Sequence, residues 1–207
     1  AGLDALPQPW WRKSAIGLWA RWNRRAQDRI SRQSLVFVNS KVLLRQYDGI
    51  AGCLKEIGTT TLWADDILVR DDACAAPPHR LLYCGRLESA MGLMDIARAA
   101  SLLRERGFDV ELYIVGSPQR NDPVMEELKE FSGSNAVEIR LHGFKPLGPA
   151  LFHFYEHADI FVVGSRASEG FPRTIWEAMA HSVPVVATKV GSIPITLRDR
   201  ENALLVN

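Results

Sequence analysis

Apolar residues Ile16, Trp19, Trp22, Ala26 and Ile30 recur at steps of three and four between Trp10 and Gln33, the period of one helix face, and predict an amphipathic helix. The run Leu35-Val36-Phe37-Val38 predicts a strand, and Asn39-Ser40 can cap a following helix over Lys41 to Tyr47. From about Gly49 to His79 the pattern decays. Thr59-Thr60-Thr61, the acidic pairs Asp65-Asp66 and Asp71-Asp72, and Pro77-Pro78 suit a surface connection, which places a domain boundary there, with residues 1–75 before it and 76–207 after it. Beyond Arg80, short apolar runs predict strands at 81–84, 111–115, 137–141, 159–163, 184–187 and 203–206. Helical stretches at 91–106, 122–132, 147–157, 172–181 and 193–198 separate them. Strict alternation of this kind predicts an α/β fold, a doubly wound parallel sheet covered on both faces. Ligands of such sheets bind beyond the carboxyl ends of the strands, so the turns starting at Gly85, Gly116, Gly143, Gly164 and Thr188 are the places to search.

Composition narrows the partners. A net charge of +1 gives no reason to expect nucleic acid. Cys53, Cys74 and Cys84 are odd in number and lack CxxC spacing, which points neither to a disulfide framework nor to a zinc site, and Cys84 in its apolar run reads as a buried thiol. No run is apolar enough to span a bilayer and Ala1 to Pro9 lack the order of a secretory signal, so a soluble, cytoplasmic protein is the expectation. The chain stops directly after its last strand, and a fragment at both ends is expected, lacking the C-terminal helices of its second domain. Charge is uneven: Arg12, Lys13, Arg21, Arg24, Arg25, Arg29 and Arg32 are interleaved with Trp10, Trp11, Trp19 and Trp22 in the first helix. Such a face suits peripheral contact with an anionic membrane, or the core of a domain lying before it.

The most informative stretch is Ser168-Glu169-Gly170-Phe171-Pro172-Arg173-Thr174-Ile175-Trp176-Glu177-Ala178-Met179-Ala180. Gly170 allows close backbone approach, Pro172 suits the first helical position, and the helix start offers amides and a positive dipole end to a phosphate. Glu169 and Glu177 flank that point, and carboxylates accept bidentate hydrogen bonds from hydroxyl pairs. The spacing alone equally fits a helix-start carboxylate and an Arg173–Glu177 pair.

The series as a whole resembles the retaining glycosyltransferases of family 4, which have the GT-B architecture with Rossmann-like domains. The blocks that carry the resemblance run in order: Gly85-Arg86-Leu87, Gly116, His142-Gly143, Ala158-Asp159, Glu169 to Ala180, Pro184 to Thr188, Gly191 to Pro194 and Glu201-Asn202. The resemblance implies a C-terminal, donor-binding half preceded by the end of an N-terminal acceptor-side domain. It implies that Glu169 sits by the donor sugar and that Glu177 binds ribose hydroxyls. Amides from Gly170 through Phe171 and Pro172 to Arg173 would contact sugar and phosphate, and Arg86 beside Gly85 would meet the diphosphate. Backbone near Gly143, Phe144 and Lys145 would meet the base. Glu169 and Arg86 are thus the catalytic candidates. The partners implied are a nucleotide sugar and a carbohydrate or lipid-linked acceptor, with no cofactor and no metal.

Three positions depart from the family pattern. Met91-Gly92 stands where Lys-Gly is usual, and loss of a cation aimed at developing charge costs roughly 3 kcal/mol of transition-state stabilisation. Lys145, Arg166 or Arg173 are the candidates to compensate. Ser182 replaces a usual glycine, and Ile195 a common glutamate. Met91 also supports a rival reading, a non-catalytic binding or partner subunit, against which stand Glu169 and Glu177. Neither GxGxxG nor GxxxxGK[ST] occurs. His153 and His157 are four apart on one helix, but Glu156 between them does not complete the zincin order HExxH.

Overall fold

A computed structural model describes residues 9–39, 41–57, 62–134, 137–166 and 170–207. The expected cap residue Ser40, the run Thr59-Thr60-Thr61 and the loop pair Ser168-Glu169 lie outside the described residues. The chain divides into two units, Ala1–Thr59 and Thr60–Asn207.

In the first unit, helix α1 (Trp10–Ser31), strand β1 (Leu35–Val38) and helix α2 (Lys41–Tyr47) occupy the positions that periodicity indicates. Strand β2 (Cys53–Glu56) pairs in parallel with β1, Leu35 opposite Cys53, so this part of the expected surface connection is a strand. Its sequence Cys-Leu-Lys-Glu has no apolar run to announce it, and Lys41 Nζ holds Glu56 at 2.5 Å. The tryptophans of α1 stay exposed, Trp10 at 79% and Trp22 at 68%, and Ser31 is the buried residue of the helix.

The second unit contains β3 (His79–Cys84), α3 (Leu93–Glu105), β4 (Val110–Val115), α4 (Val124–Ser134), β5 (Glu138–Gly143) and α5 (Pro149–Glu156). It continues through β6 (Ile160–Val163), α6 (Arg173–Ala180), β7 (Val185–Thr188), α7 (Ile193–Thr196) and β8 (Leu204–Val206). All six strands are parallel in the order β5-β4-β3-β6-β7-β8, the doubly wound order whose direction of winding reverses between β3 and β6. Strand β3 shows the two-residue alternation that makes this possible. Leu81 and Tyr83 pack into the core under α3 and α4, while Leu82 and Cys84 pack into the core under α5 and α6.

Helix α3 begins two residues later than the apolar pattern indicates. Ser89–Met91 form a 3₁₀ turn, and Gly92 at φ +68° separates it from the helix. A Cβ on Gly92 would lie 1.9 Å from the carbonyl oxygen of Gly164, so the loops after β3 and β6 touch backbone to backbone there.

Residues 62–75, the first described segment of the second unit, are fastened to the helices that follow. Arg70 donates from Nε to the carbonyl of His181 at 3.1 Å, and from its two terminal nitrogens to Glu156 and Ala158, each at 2.8 Å. Ser182 explains its departure from glycine. It sits just past α6 at φ +56°, where glycine is easiest, but its hydroxyl donates to the Leu68 carbonyl at 2.9 Å and accepts the Arg70 amide at 3.2 Å. A glycine would relieve the backbone and lose both bonds.

Candidate functional site

The carboxyl ends of β3, β4 and β5 are stitched together by backbone bonds that continue past the strands. The Gly85 amide donates to Val115, Leu87 to Ser117 and Gly116 to Gly143, each at 3.0 Å. A Cβ on Gly116 would meet the Gly85 carbonyl oxygen at 1.8 Å, so glycine is required where these turns cross. Tyr83 donates its hydroxyl to the Arg86 carbonyl at 2.7 Å and so anchors the turn that carries Arg86.

These turns and the first turn of α6 enclose a cavity of about 480 Å³. Of the residues expected to serve the site, Gly85, Arg86, Phe144, Lys145, Arg173 and Glu177 line it, joined by Cys84 and Thr174. Gly143 ends β5 at φ +67° beside it. Gly170, Phe171 and Pro172 lead into α6 and are not among the residues lining the cavity, the Phe171 ring lying 4.7 Å from that of Trp176. Pro172 is at the N-cap rather than the first helical position. Its ψ of 120° is extended, and the helix begins at Arg173. Glu169 lies outside the described residues.

Charge in the cavity is mainly positive. Arg86 pairs with Glu88 at 3.1 Å, and Lys145 lies 5.9 Å from the centre of the Phe154 ring. Of the three candidates to replace the missing lysine, Arg166 is committed elsewhere. Its guanidinium grips Asp95 through two bonds of 2.7 and 2.6 Å. Lys145 and Arg173 line the cavity with Arg86. Met91 itself is buried in the core under α3, with the Ser165 hydroxyl 3.8 Å from its sulfur.

Glu177 is 5% exposed at the cavity floor, and its carboxylate accepts the hydroxyl of fully buried Tyr155 at 2.8 Å. Burial, with Cys84 and Glu177 nearby, pushes the Tyr155 hydroxyl well above its ordinary range, so it remains a donor. Tyr155 is the site residue that periodicity hides. It falls on the buried face of α5 with Leu151 and Phe152, and only its polar tip, which must find a partner when buried, distinguishes it. His142, which precedes Gly143 at the end of β5, stacks on Tyr113 with ring centres 5.0 Å apart. Burial first, then Lys145 and Arg140, lower its pKa.

The cysteines differ sharply. Burial pushes the Cys84 thiol up, against the hydrogen bond with Tyr155 and with the help of Glu177. Cys74 is raised by burial and then by Asp159 and Asp72, while Cys53 is exposed. With a thiol reagent at about pH 8, Cys53 is expected to react fast, Cys74 slowly and Cys84 only after unfolding. Fast reaction of Cys84 in the folded chain would contradict this placement.

A doubly wound parallel sheet with its cavity at the carboxyl edge of the strands puts the second unit in the class of α/β domains that bind ligands at a topological switch point. The chain belongs to the family Glycosyl transferases group 1, which residues 78–207 match. It is 31% identical over 130 residues to the D-inositol 3-phosphate glycosyltransferase of Corynebacterium diphtheriae, covering 61% of this chain and 30% of that protein. The corresponding enzyme of an Arthrobacter species is 31% identical over 133 residues, covering 64% of this chain and 31% of the relative. The chain therefore spans about 30% of the length of these relatives. Among solved structures, Anabaena HepE in complex with UDP and glucose superposes with a TM-score of 0.72 at 21% identity, over 87% of this chain and 52% of that one. The C-terminal domain of LpcC, a glycosyl transferase group 1 protein of Francisella tularensis, gives 0.60 at 24% identity, over 72% of this chain and 80% of that one. Both likenesses bear on the fold. Among the described residues, no helix is long and apolar enough to cross a membrane.

Proposed function

We propose that this chain is the donor-binding half of a retaining glycosyltransferase, which moves a hexosyl or related unit from a nucleotide-diphosphate sugar to an acceptor hydroxyl. The observation that carries the reading is the cavity in which Arg86, Lys145 and Arg173 accompany the buried carboxylate of Glu177. Three cations suit a diphosphate, and a fixed carboxylate suits the paired hydroxyls of a ribose. Phe144, 68% exposed at the cavity, offers a ring on which a base can stack.

In this reading Arg86, Lys145 and Arg173 stabilise charge developing on the departing diphosphate, and the last two take up the role of the lysine replaced by Met91. Glu169 is assigned to the donor sugar from its place in the motif. The cations supply the charge stabilisation, so the reaction calls on no metal. Residues 1–75 are read as the end of the acceptor-side domain and the linker, whose basic helix suits a lipid-linked acceptor at an anionic surface. The cleft of a GT-B enzyme lies between its two halves, so this chain alone is expected to bind donor and transfer nothing.

Calorimetric titration with UDP, GDP and ADP tests the reading. One of the three is expected to bind with one-to-one stoichiometry, and Arg86→Ala and Glu177→Ala are each expected to weaken it by about tenfold or more. Binding that survives both substitutions unchanged would place the nucleotide elsewhere. No binding by the folded chain would favour the non-catalytic subunit for which Met91 speaks.

A further inference from the structure

At the C-terminal end of α5, turned away from the core, His153, Glu156 and the C-cap residue His157 are exposed, and one ligand atom from each lies within 4.8 Å of the other two. Positions i, i+3 and i+4 of a helix fall on one face one turn apart, so the convergence follows from the sequence once the helix forms. The imidazoles of His153 and His157 are in contact, with centroids 4.2 Å apart. His157 Nδ1 lies 2.8 Å from the carbonyl oxygen of His153. A carbonyl only accepts, so in the neutral ring Nδ1 carries the proton and Nε2 keeps its lone pair. Metal-binding histidines are oriented by this same kind of second bond.

The turn that carries these groups is also held from behind. Arg70 binds the carbonyls of Glu156 and Ala158, each at 2.8 Å, and Arg80 lies 3.4 Å from the carbonyl of His157. Fixed backbone pre-organises side-chain ligands. The same two arginines place positive charge near the cluster and oppose a bound cation, and the Glu156 carboxylate offsets part of that charge. A cavity of about 390 Å³ adjoins the cluster, lined by both histidines and by His142, whose buried Nε2 has no hydrogen-bond partner among the described residues.

We propose that His153, Glu156 and His157 form a binding site for a divalent ion of the zinc class, with two imidazole nitrogens and one carboxylate oxygen as protein ligands and water completing the shell. Two nitrogens and one oxygen suit zinc, nickel or copper rather than magnesium or calcium. Ligands at zinc distances lie roughly 3.4 Å apart in a tetrahedral set, and rotation of exposed side chains closes the remaining gap. The site stands on its own residues and does not depend on the donor-site reading.

The test is calorimetric titration of zinc chloride into the chain carrying Cys53→Ser and Cys74→Ser, which removes the accessible competing thiols. One equivalent is expected to bind. His153→Gln and His157→Gln are each expected to weaken it by about tenfold or more, and Glu156→Gln by less, with magnesium giving no signal. All three positions are exposed, and circular dichroism serves to check that each variant folds. Absence of zinc binding, or binding left unchanged by both histidine substitutions, would overturn the proposal.

Discussion

Arg70→Ala is expected to destabilise the second unit by about 3 kcal/mol, read from the urea midpoint, because charged donors to three carbonyls are lost together. The carbonyls of Glu156 and Ala158 bracket the end of α5, and that of His181 ends α6. A single guanidinium therefore ties the segment after Thr60 to the two helices that carry Tyr155 and Glu177. Arg70→Lys keeps the charge but loses the planar fork, and should recover less than half of the stability. Hydrogen exchange should rise at Leu68 and Arg70, whose amides bond to Ala180 and to the Ser182 hydroxyl. A loss below about 1 kcal/mol would show that the segment is only laid against the unit and not fastened to it.

Tyr155→Phe is expected to cost about 2 kcal/mol, since the ring still packs while a buried carboxylate loses a hydrogen-bond donor. Its second effect discriminates between a packing role and a positioning one. With Glu177 less firmly held, the nucleotide that binds the wild type should bind about tenfold more weakly, and the difference should vanish for an analogue lacking the ribose hydroxyls. An equal loss for both ligands would mean that Tyr155 only supports the core.

The sheet was readable because each strand of the second unit is a short apolar run and each connection starts with a turn residue. Observed strands lie within two residues of the expected ones, from His79–Cys84 to Leu204–Val206. β2 escaped notice because a four-residue edge strand with Lys55 and Glu56 has no pattern of its own, and only its pairing with β1 defines it. Glycines at 85 and 116 stood out as turn residues in the sequence; in the structure they line the cavity, and a backbone crossing too close for a Cβ explains the glycine at 116. Which cations face the cavity was not legible. Arg166 and Arg173 are equivalent as letters, and only the folded chain commits one to Asp95 and leaves the other at the start of α6. The Tyr155–Glu177 bond joins residues 22 apart, beyond the reach of any local period.

In the proposed function, the diphosphate and ribose of a nucleotide sit over the carboxyl ends of β3, β4 and β5. An amide proton–nitrogen correlation spectrum, recorded while the chain is titrated with UDP, GDP and ADP in turn, tests it most directly. Shifts are expected to concentrate at Gly85, Arg86, Gly116, Phe144, Lys145, Arg173 and Thr174 for the nucleotide that binds. Shifts centred instead on α1, or on the cavity beside His142 and His153, would contradict it.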